Sequence, residues 1–363
     1  MVHVPDCRAR PLSVYRKAVS RMHLSLASSF PKAMGSSESR KGQRIPRTSQ
    51  QVYHKIGSAS YRKKLRLPMS PNELRLPHME CVVAHGDQSA NPSFGKDQLE
   101  VAADRFARDG AVCLRGVFDP ACAELVARGI ARNLACPSEF GEWLGDGRTS
   151  ARFFNDYCNW RRIAEFETYM RESGVAEIAK RIMKSNTAVF YHEHVLVKEL
   201  GTTKRTPWHQ DQPYYPIDGG QMISVWMPVD PVPEASTLRF IRGSHLWNRW
   251  FRPQKFATGN KYDIVDSNAA MTRYEDLDET EMDSQIDVLA WACEPGDCVV
   301  FHGLTLHSAH GHSNGACARR VISTRWVGDD AIFATRPWEV SPPFSGGLQP
   351  GDPFCCDMFP RVC

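Results

Sequence analysis

The chain has 363 residues, of which 42% are hydrophobic and 24% charged, a composition typical of a globular protein with one large domain or two small ones. Its formal net charge of +4 is unevenly distributed: residues 1–79 hold 16 basic and 3 acidic side chains, and the remainder holds 29 basic and 38 acidic ones. A nucleic-acid-binding surface is excluded for this acidic main body. No apolar run approaches the roughly 18 residues of a membrane-spanning helix, so no membrane span is predicted.

The first 95 residues differ in composition from the rest. They are rich in Ser, Pro, Lys and Arg and show little hydrophobic periodicity, which predicts a basic, disordered leader or tail over 1–95. The same composition suits an organellar transit peptide, or a start codon misplaced upstream of Met79. The twelve cysteines are scattered, which favours reduced thiols. We therefore expect a soluble intracellular protein, in the cytoplasm, or in a mitochondrion or peroxisome if the leader is a targeting segment.

Helical patterns come first along the remaining chain. Apolar residues at helical spacing predict a helix over 96–110 that ends at Gly110, followed by a short strand over 111–114. Asp119 as N-cap and Pro120 in the first turn open a second helix in DPACAELVARGIARNLA. A third helix is predicted over 175–183.

From Thr187 onward the chain consists of short β-rich runs separated by Pro and Gly. These runs are TAVFYHEHVLVKE, MISVWMPVD, TLRFIRG, CVVFHG and RRVISTRWVG. Short strands with turn signals between them indicate an antiparallel sandwich or barrel. Helices first and a β-core second give an α+β layout in one domain.

The motif with the most chemical content is TPWHQDQPYYP, in which one residue separates His209 from Asp211. On a strand, side chains at i and i+2 point to the same side, so an imidazole and a carboxylate can converge on one ion. A single His-x-Asp pair arises by chance in many proteins, and a surface pair in a loop is the alternative interpretation.

A third ligand is available in EPGDCVVFHGLTLHSAHGHSNGACARRVIS, which contains His302, His307, His310 and His312. Two histidines and one carboxylate form the facial triad of non-haem Fe(II) oxygenases, which leaves coordination positions free for a co-substrate and O₂. Arg319, on the next predicted strand, offers a planar cation that can hold a carboxylate through two hydrogen bonds.

Together these motifs make the sequence resemble the phytanoyl-CoA dioxygenase family of Fe(II)/2-oxoglutarate-dependent oxygenases. The resemblance covers about residues 97–360 and rests on HVLVKELGTTKRTPWHQDQPYYP, SVWMPVDPV, RGSH and the segment PGD…FHGLTLH…RR. It implies a double-stranded β-helix (jelly-roll, cupin-like) core flanked by N-terminal helices, with residues 96–363 as the oxygenase domain. It also implies Fe(II), 2-oxoglutarate as co-substrate, O₂, and hydroxylation of an aliphatic C–H bond in a small-molecule or acyl-type substrate.

The resemblance also assigns roles to individual residues. The metal ligands fall on His209, Asp211 and His307. Asp211 argues for hydroxylation, because relatives that halogenate have no carboxylate at this position. Three residues fall on positions that hold or line the co-substrate: Arg319, which pairs with its far carboxylate, Lys198 and Trp226. His245, in the GSH turn, and Tyr214, just after the metal motif, are candidates for facing the substrate.

Several of these assignments have structural alternatives. Lys198 suits a surface cation at a strand end, Trp226 suits core packing, and His245 suits a turn cap. The loop after His307 is longer than usual for the family and carries two extra histidines, so the identity of the distal ligand stays open between them and His307. His307 is preferred because the other two lie in a polar Gly/Ser loop that no strand holds rigid.

Two other classes of function remain compatible with the same ligands. A metal-dependent hydrolase or isomerase on a cupin-like barrel would use them to hold Zn²⁺ and activate water, and would need neither Arg319 nor Lys198. A non-catalytic binding protein on the same scaffold would need no intact ligand set at all.

Overall fold

The computed structural model describes residues 96–145, 147, 150–265, 273–313 and 315–363. The predicted leader over 1–95 therefore lies outside the described residues. In the part that is described, no helix is long and apolar enough to cross a membrane. Each of the ten cysteines located there is free.

Four of the five α-helices in the described residues lie in the N-terminal part, as predicted, and the fifth lies among the later strands. The five are α1 (Lys96–Asp109), α2 (Pro120–Ala135), α3 (Ala164–Glu172), α4 (Val175–Ile182) and α5 (Glu279–Asp283). Gly110 ends α1 with a positive φ of 81°, a conformation that glycine adopts without strain. Asp119 caps α2, because its side chain accepts the Cys122 N–H at 2.7 Å. Sequence analysis did not predict α3 and α5.

The strands form two large antiparallel sheets and two small pairs. The strands are β1 (Ala111–Leu114), β2 (Glu142–Leu144), β3 (Phe153–Tyr157), β4 (Val189–Lys198), β5 (Thr206–His209), β6 (Ile217–Asp218), β7 (Met222–Pro228), β8 (Leu238–Ile241), β9 (Trp250–Phe251), β10 (Tyr274–Glu275), β11 (Val288–Ala290), β12 (Cys298–His302), β13 (His307–Ala309), β14 (Arg319–Val327) and β15 (Ile332–Phe333). The seven-stranded sheet has the order β1-β12-β7-β14-β4-β3-β2, and the four-stranded sheet has the order β11-β8-β13-β5. The remaining strands pair as β9 with β10 and β6 with β15.

The seven-stranded sheet has a different environment on each face. Ile322 and Trp326 of β14 belong to the apolar cluster that also contains the buried faces of α1 to α4. Val321 of the same strand packs instead with residues of the smaller sheet, such as Phe240. Because successive side chains of a strand point to opposite faces, helices cover one face and the smaller sheet covers the other. The predicted α+β class is confirmed, and the cavity described below lies on the face that does not contact the helices.

Candidate metal centre and its cavity

The three predicted metal ligands come together where two strands of the smaller sheet meet. His209 ends β5, His307 begins β13, and the two residues are direct partners in the antiparallel pairing. Asp211 lies in the turn that follows β5. One ligand atom from each of the three buried residues lies within 4.8 Å of the others. Asp211 Oδ1 is 3.6 Å from His209 Nε2 and 3.7 Å from His307 Nε2. This arrangement can hold one metal ion as a facial triad.

Backbone carbonyls orient both imidazoles. His209 Nδ1 donates to the carbonyl of Pro207 at 2.9 Å, and His307 Nδ1 donates to the carbonyl of Thr305 at 3.0 Å. Because a carbonyl oxygen only accepts, each Nδ1 carries the proton and each Nε2 keeps a lone pair for a metal. Burial lowers the pKa of His307 to about 3, so this imidazole is neutral at physiological pH.

Two hydrogen bonds hold the carboxylate ligand. Asp211 Oδ2 accepts from Ser224 Oγ at 2.6 Å and from Arg325 Nη2 at 3.3 Å, which leaves Oδ1 facing the two imidazoles. Burial disfavours the charge on Asp211, but the neighbouring Arg325 guanidinium outweighs it and holds the pKa of this carboxyl well below its ordinary value. A deprotonated carboxylate with one oxygen held in place is what a divalent cation requires.

The triad opens onto a cavity of about 380 Å³, within the size range of small-molecule sites. Aromatic and polar side chains of both sheets and of the neighbouring loops line it. Those used below are Glu139, Glu142, Tyr157, His192, His194, Tyr214, Tyr215, Trp226, Lys255, Arg319, Ser323 and Arg325.

Arg319 lies at the cavity wall and is 1% exposed. Its Nη1 donates to the carbonyl of Ser236 at 2.5 Å, and its Nε has no hydrogen-bond partner in the part of the chain that the structure describes. Burial lowers the pKa of Arg319 to about 10, which leaves the guanidinium charged at neutral pH. Trp226 lies next to it, 5.8 Å from ring centroid to guanidinium carbon, and its buried Nε1 is also unpartnered. These two predicted co-substrate residues therefore offer unused donors to the same cavity.

Lys198 is buried next to Arg319 but does not line the cavity. It is the register partner of Arg319 in the β4–β14 pairing. Its Nζ donates to the carbonyl of His310 at 2.7 Å and lies 5.2 Å from the ring centroid of Phe153. Burial and the neighbouring Arg319 hold the pKa of Lys198 well below its ordinary value. Lys198 therefore fixes the loop after the third ligand, and its predicted role in holding the co-substrate stays a prediction.

The two residues predicted to face the substrate differ in location. Tyr214 lines the cavity, and its hydroxyl donates to the Gln254 carbonyl at 2.7 Å and accepts from the Gln254 N–H at 3.0 Å. His245 does not line the cavity, because its turn packs against the end of α1. Its Nε2 is 3.2 Å from the carbonyl of Ala107, and its ring lies 5.2 Å from that of His302.

The two extra histidines of the 307–312 loop are engaged elsewhere. His310 is exposed, and its Nε2 lies 3.0 Å from Arg239 Nη1. His312 is buried, and its Nε2 donates to the carbonyl of Cys317 at 2.7 Å. Among the described residues, neither belongs to a group able to hold a metal, whereas His307 does.

Sequence reasoning missed several polar residues of the site. The most important is Arg325, a buried cation whose Nε also donates a hydrogen bond to the Tyr215 hydroxyl oxygen at 3.0 Å. Arg325 is six residues after Arg319, so the two-residue period of a strand places both on one face. The same period along YHEHVLVK relates His194 to Lys198. This two-residue spacing of polar residues is visible in the sequence and would have identified β4 and β14 as walls of the site.

Comparison with known proteins adds a family and a fold. The profile of the family described as phytanoyl-CoA dioxygenase (PhyH) matches residues 106–321, more than half of the chain and a range that contains the triad and Arg319. No curated protein matches the sequence.

Three solved structures illustrate the similarity of fold. The non-haem α-ketoglutarate-dependent epimerase SnoN from nogalamycin biosynthesis aligns with a TM-score of 0.55 and 21% identity, over 74% of this chain and 99% of SnoN. The carbocyclase SnoK of the same biosynthesis aligns with a TM-score of 0.53 and 21% identity, over 77% of this chain and 100% of SnoK. EctD from S. alaskensis, solved with 2-oxoglutarate and 5-hydroxyectoine, aligns with a TM-score of 0.52 and 15% identity, over 75% of this chain and 89% of EctD. The similarity confirms the predicted double-stranded β-helix fold.

Proposed function

Since this chain belongs to the phytanoyl-CoA dioxygenase family, we propose that it is an Fe(II)- and 2-oxoglutarate-dependent dioxygenase that hydroxylates an aliphatic C–H bond of a small-molecule substrate. One observation carries the proposal: a buried His209–Asp211–His307 triad opens onto the same cavity as a buried arginine, Arg319, that has no carboxylate partner among the described residues. A metal-dependent hydrolase would use the triad but would have no use for this arginine. The printed descriptions of SnoN with Fe³⁺ and α-ketoglutarate, and of EctD with 2-oxoglutarate, agree with this choice of cofactors.

The residues present fit both groups. The two imidazole Nε2 atoms and Asp211 Oδ1 would hold the iron on one side, leaving the cavity side for 2-oxoglutarate and O₂. Arg319, with unused donors in a desolvated position, would hold the far carboxylate of 2-oxoglutarate. When bound, iron with 2-oxoglutarate and O₂ supplies the oxidising power for C–H hydroxylation.

The protein's own contribution is orientation and exclusion of water. The carbonyls of Pro207 and Thr305 fix the imidazole tautomers, and Ser224 and Arg325 fix the carboxylate. Burial of Arg319 makes its charge selective, because a ligand without a second carboxylate would leave the guanidinium unpaired in a desolvated site. The same burial keeps solvent from the reacting groups.

Hydroxylation is the outcome proposed here because Asp211 occupies the carboxylate position of the triad. SnoN and SnoK are described as an epimerase and a carbocyclase, so related folds also direct α-ketoglutarate-dependent chemistry to other products. In the hydroxylase, the substrate C–H bond receives the oxygen, and the position of the substrate in the cavity selects the carbon.

Anaerobic titration of the Fe(II)-loaded protein with 2-oxoglutarate tests the proposal. We expect a weak visible metal-to-ligand charge-transfer band in the wild type, and succinate formation once O₂ is admitted. His209→Ala and Asp211→Ala should abolish the band, whereas His310→Ala, which removes an exposed imidazole outside the triad, should keep it. Correctly folded, iron-loaded wild type without a band would refute the 2-oxoglutarate assignment and favour the zinc-type hydrolase.

A further inference from the structure

Four buried polar atoms on residues that line the cavity have no hydrogen-bond partner among the described residues. They are Arg319 Nε, Trp226 Nε1, Ser323 Oγ and His192 Nε2. Buried polar atoms are nearly always paired in proteins, so unpaired ones around a cavity indicate where a ligand binds. The arginine and tryptophan atoms can only donate, which suits an anion. The proposed function uses Arg319 for 2-oxoglutarate, and Trp226 offers its donor beside it, so Ser323 Oγ and His192 Nε2 are left without a role.

The unpaired atom of His192 is a hydrogen-bond acceptor. Its Nδ1 lies 3.2 Å from the carbonyl oxygen of Glu193, which can only accept, so the proton is on Nδ1 and Nε2 keeps a lone pair. Burial lowers the pKa of His192 to about 3, so the ring stays neutral at physiological pH. The side chain is 2% exposed and therefore cannot satisfy its acceptor with bulk water.

A β-bulge turns His192 towards the cavity. In the β4–β14 pairing, Arg325 is opposite His192 and Trp326 is opposite Phe190, so Tyr191 is one extra residue on β4. Phe190 packs in the cluster on the helix side of the sheet, and strict alternation would place His192 there as well. The extra residue, Tyr191, shifts the alternation of side chains along β4 by one position, so that His192 points to the cavity face. Bulges of this kind commonly redirect side chains next to active sites.

At the cavity end next to His192, each cation of the described lining already has a carboxylate partner. Arg325 is paired with the metal-site carboxylate, and exposed Lys255 lies 3.5 Å from the carboxylate of Asp263. Arg319 lies six residues along β14 from Arg325, which is roughly 20 Å in an extended strand. Two exposed carboxylates also lie at the cavity lining: Glu139 and Glu142. Of the cations on the described lining, only Arg319 lacks a carboxylate partner.

We propose that this end of the cavity binds a neutral substrate, whose hydroxyl or N–H group donates a hydrogen bond to His192 Nε2, and that it rejects anions such as free acids and CoA thioesters. The proposal rests on the proposed function, because it assigns the donor end of the cavity to 2-oxoglutarate. The rings of Tyr157 and Tyr215 lie 6.2 and 5.2 Å from that of His192, so an apolar or aromatic body would pack beside the hydrogen bond.

Calorimetric titration of the anaerobic enzyme, loaded with Fe(II) and saturating 2-oxoglutarate, tests the proposal. The probes are phenylalkanols from phenylmethanol to 4-phenylbutanol, the corresponding fluorides, which have a similar shape but no donor, and the corresponding carboxylates. We expect at least one alcohol to bind wild type about tenfold more tightly than its fluoride, the difference a hydrogen bond to a buried acceptor makes. The matching carboxylate should bind more weakly than the alcohol.

Three variants isolate the acceptor. His192→Phe should bind alcohol and fluoride equally, and His192→Gln, which restores an acceptor oxygen, should recover the preference. Tyr191→Phe is the matched control, because it removes the neighbouring buried, unpartnered hydroxyl of a residue that does not line the cavity. It should keep the preference of wild type.

Several results would overturn the inference: no alcohol binds wild type, alcohol and fluoride bind it equally, carboxylates bind better, or His192→Phe keeps the alcohol preference. The wild-type comparison decides the matter even if a variant fails to fold. The charge-transfer band is recorded before any probe is added. Its absence would refute the proposed function, whereas its presence without alcohol preference would refute only the role of His192.

Discussion

Arg319→Met is the substitution that most directly tests how the cavity recognises its co-substrate. Arg319 is 1% exposed, and its Nε has no hydrogen-bond partner among the described residues, so a bound carboxylate would form a fully desolvated ion pair with it. Truncating one partner of such a pair costs ~2–5 kcal/mol, which is roughly 30- to 5000-fold in Kd. We expect 2-oxoglutarate to bind the variant more weakly by a factor in this range.

The assay compares 2-oxoglutarate with 2-oxopentanoate, which has the same chain length but a methyl group in place of the far carboxylate. Both are titrated anaerobically into the Fe(II)-loaded protein, and the charge-transfer band reports binding. Wild type should strongly prefer 2-oxoglutarate, and Arg319→Met should bind the two keto acids about equally. Arg320→Met is the control, because Arg320 is the next residue of β14 and forms an ion pair with Asp230 at 2.6 Å.

One result would refute this reasoning. If iron-loaded Arg319→Met keeps the full preference for 2-oxoglutarate, the far carboxylate is held by another cation. Lys198, the register partner of Arg319, is the nearest alternative, but its ammonium would first have to leave the carbonyl of His310.

Three further predictions concern the metal ligands and stability. Ser224→Ala removes the 2.6 Å hydrogen bond to Asp211, and we expect titrations to show metal affinity lower by about 10- to 100-fold. Because burial lowers the pKa of Arg319 from its ordinary value to about 10, Arg319→Met should stabilise the metal-free protein by up to roughly 3 kcal/mol in thermal melts; a clear loss of stability would contradict this. Burial lowers the pKa of His302 to about 4 and that of His192 to about 3, below the ~6.5 of an unfolded chain. The unfolded state therefore takes up protons first, and the free energy of unfolding should fall as pH drops from about 6.5 towards 4, by ~1.4 kcal/mol per pH unit for each histidine. The free energy of unfolding, measured by urea titration at each pH, should depend less steeply on pH in His302→Gln, by the contribution of one histidine. An unchanged pH dependence would contradict the lowered pKa of His302.

The parts of the site that sequence analysis predicted are those that depend on local spacing. His209 and Asp211 are two residues apart, and a strand followed by a turn is enough to bring them together. The prediction that they converge with His307, and that Arg319 pairs with the far carboxylate of the co-substrate, came from a family resemblance. Nearly a hundred residues separate Asp211 from His307, so local spacing does not relate them. The fold class followed from the order of helical and β patterns, which are also local signals.

The parts that sequence analysis missed depend on tertiary contacts. Nothing near Lys198 in the chain indicates that its ammonium binds the carbonyl of His310, which is 112 residues away. His245 follows a motif of the family, but the packing of its turn on α1 places it outside the cavity. His192 would have been assigned to the wrong face by alternation from Phe190, because the bulge at Tyr191 appears only in the pairing of β4 with β14.

The pair β4–β14 explains how one wall can recognise two ligands of different charge. Arg319 and Arg325 lie on the same face of β14, and both are buried. Arg325 is neutralised by Asp211 and therefore acts on the metal ligand, whereas Arg319 has no carboxylate partner among the described residues and would be available to an incoming carboxylate. The bulge then places a neutral acceptor, His192, opposite Arg325. Co-substrate and substrate would thus be sorted by charge along a single strand pair, since Arg319 offers an ion pair to an anion and His192 offers a hydrogen-bond acceptor to a neutral donor.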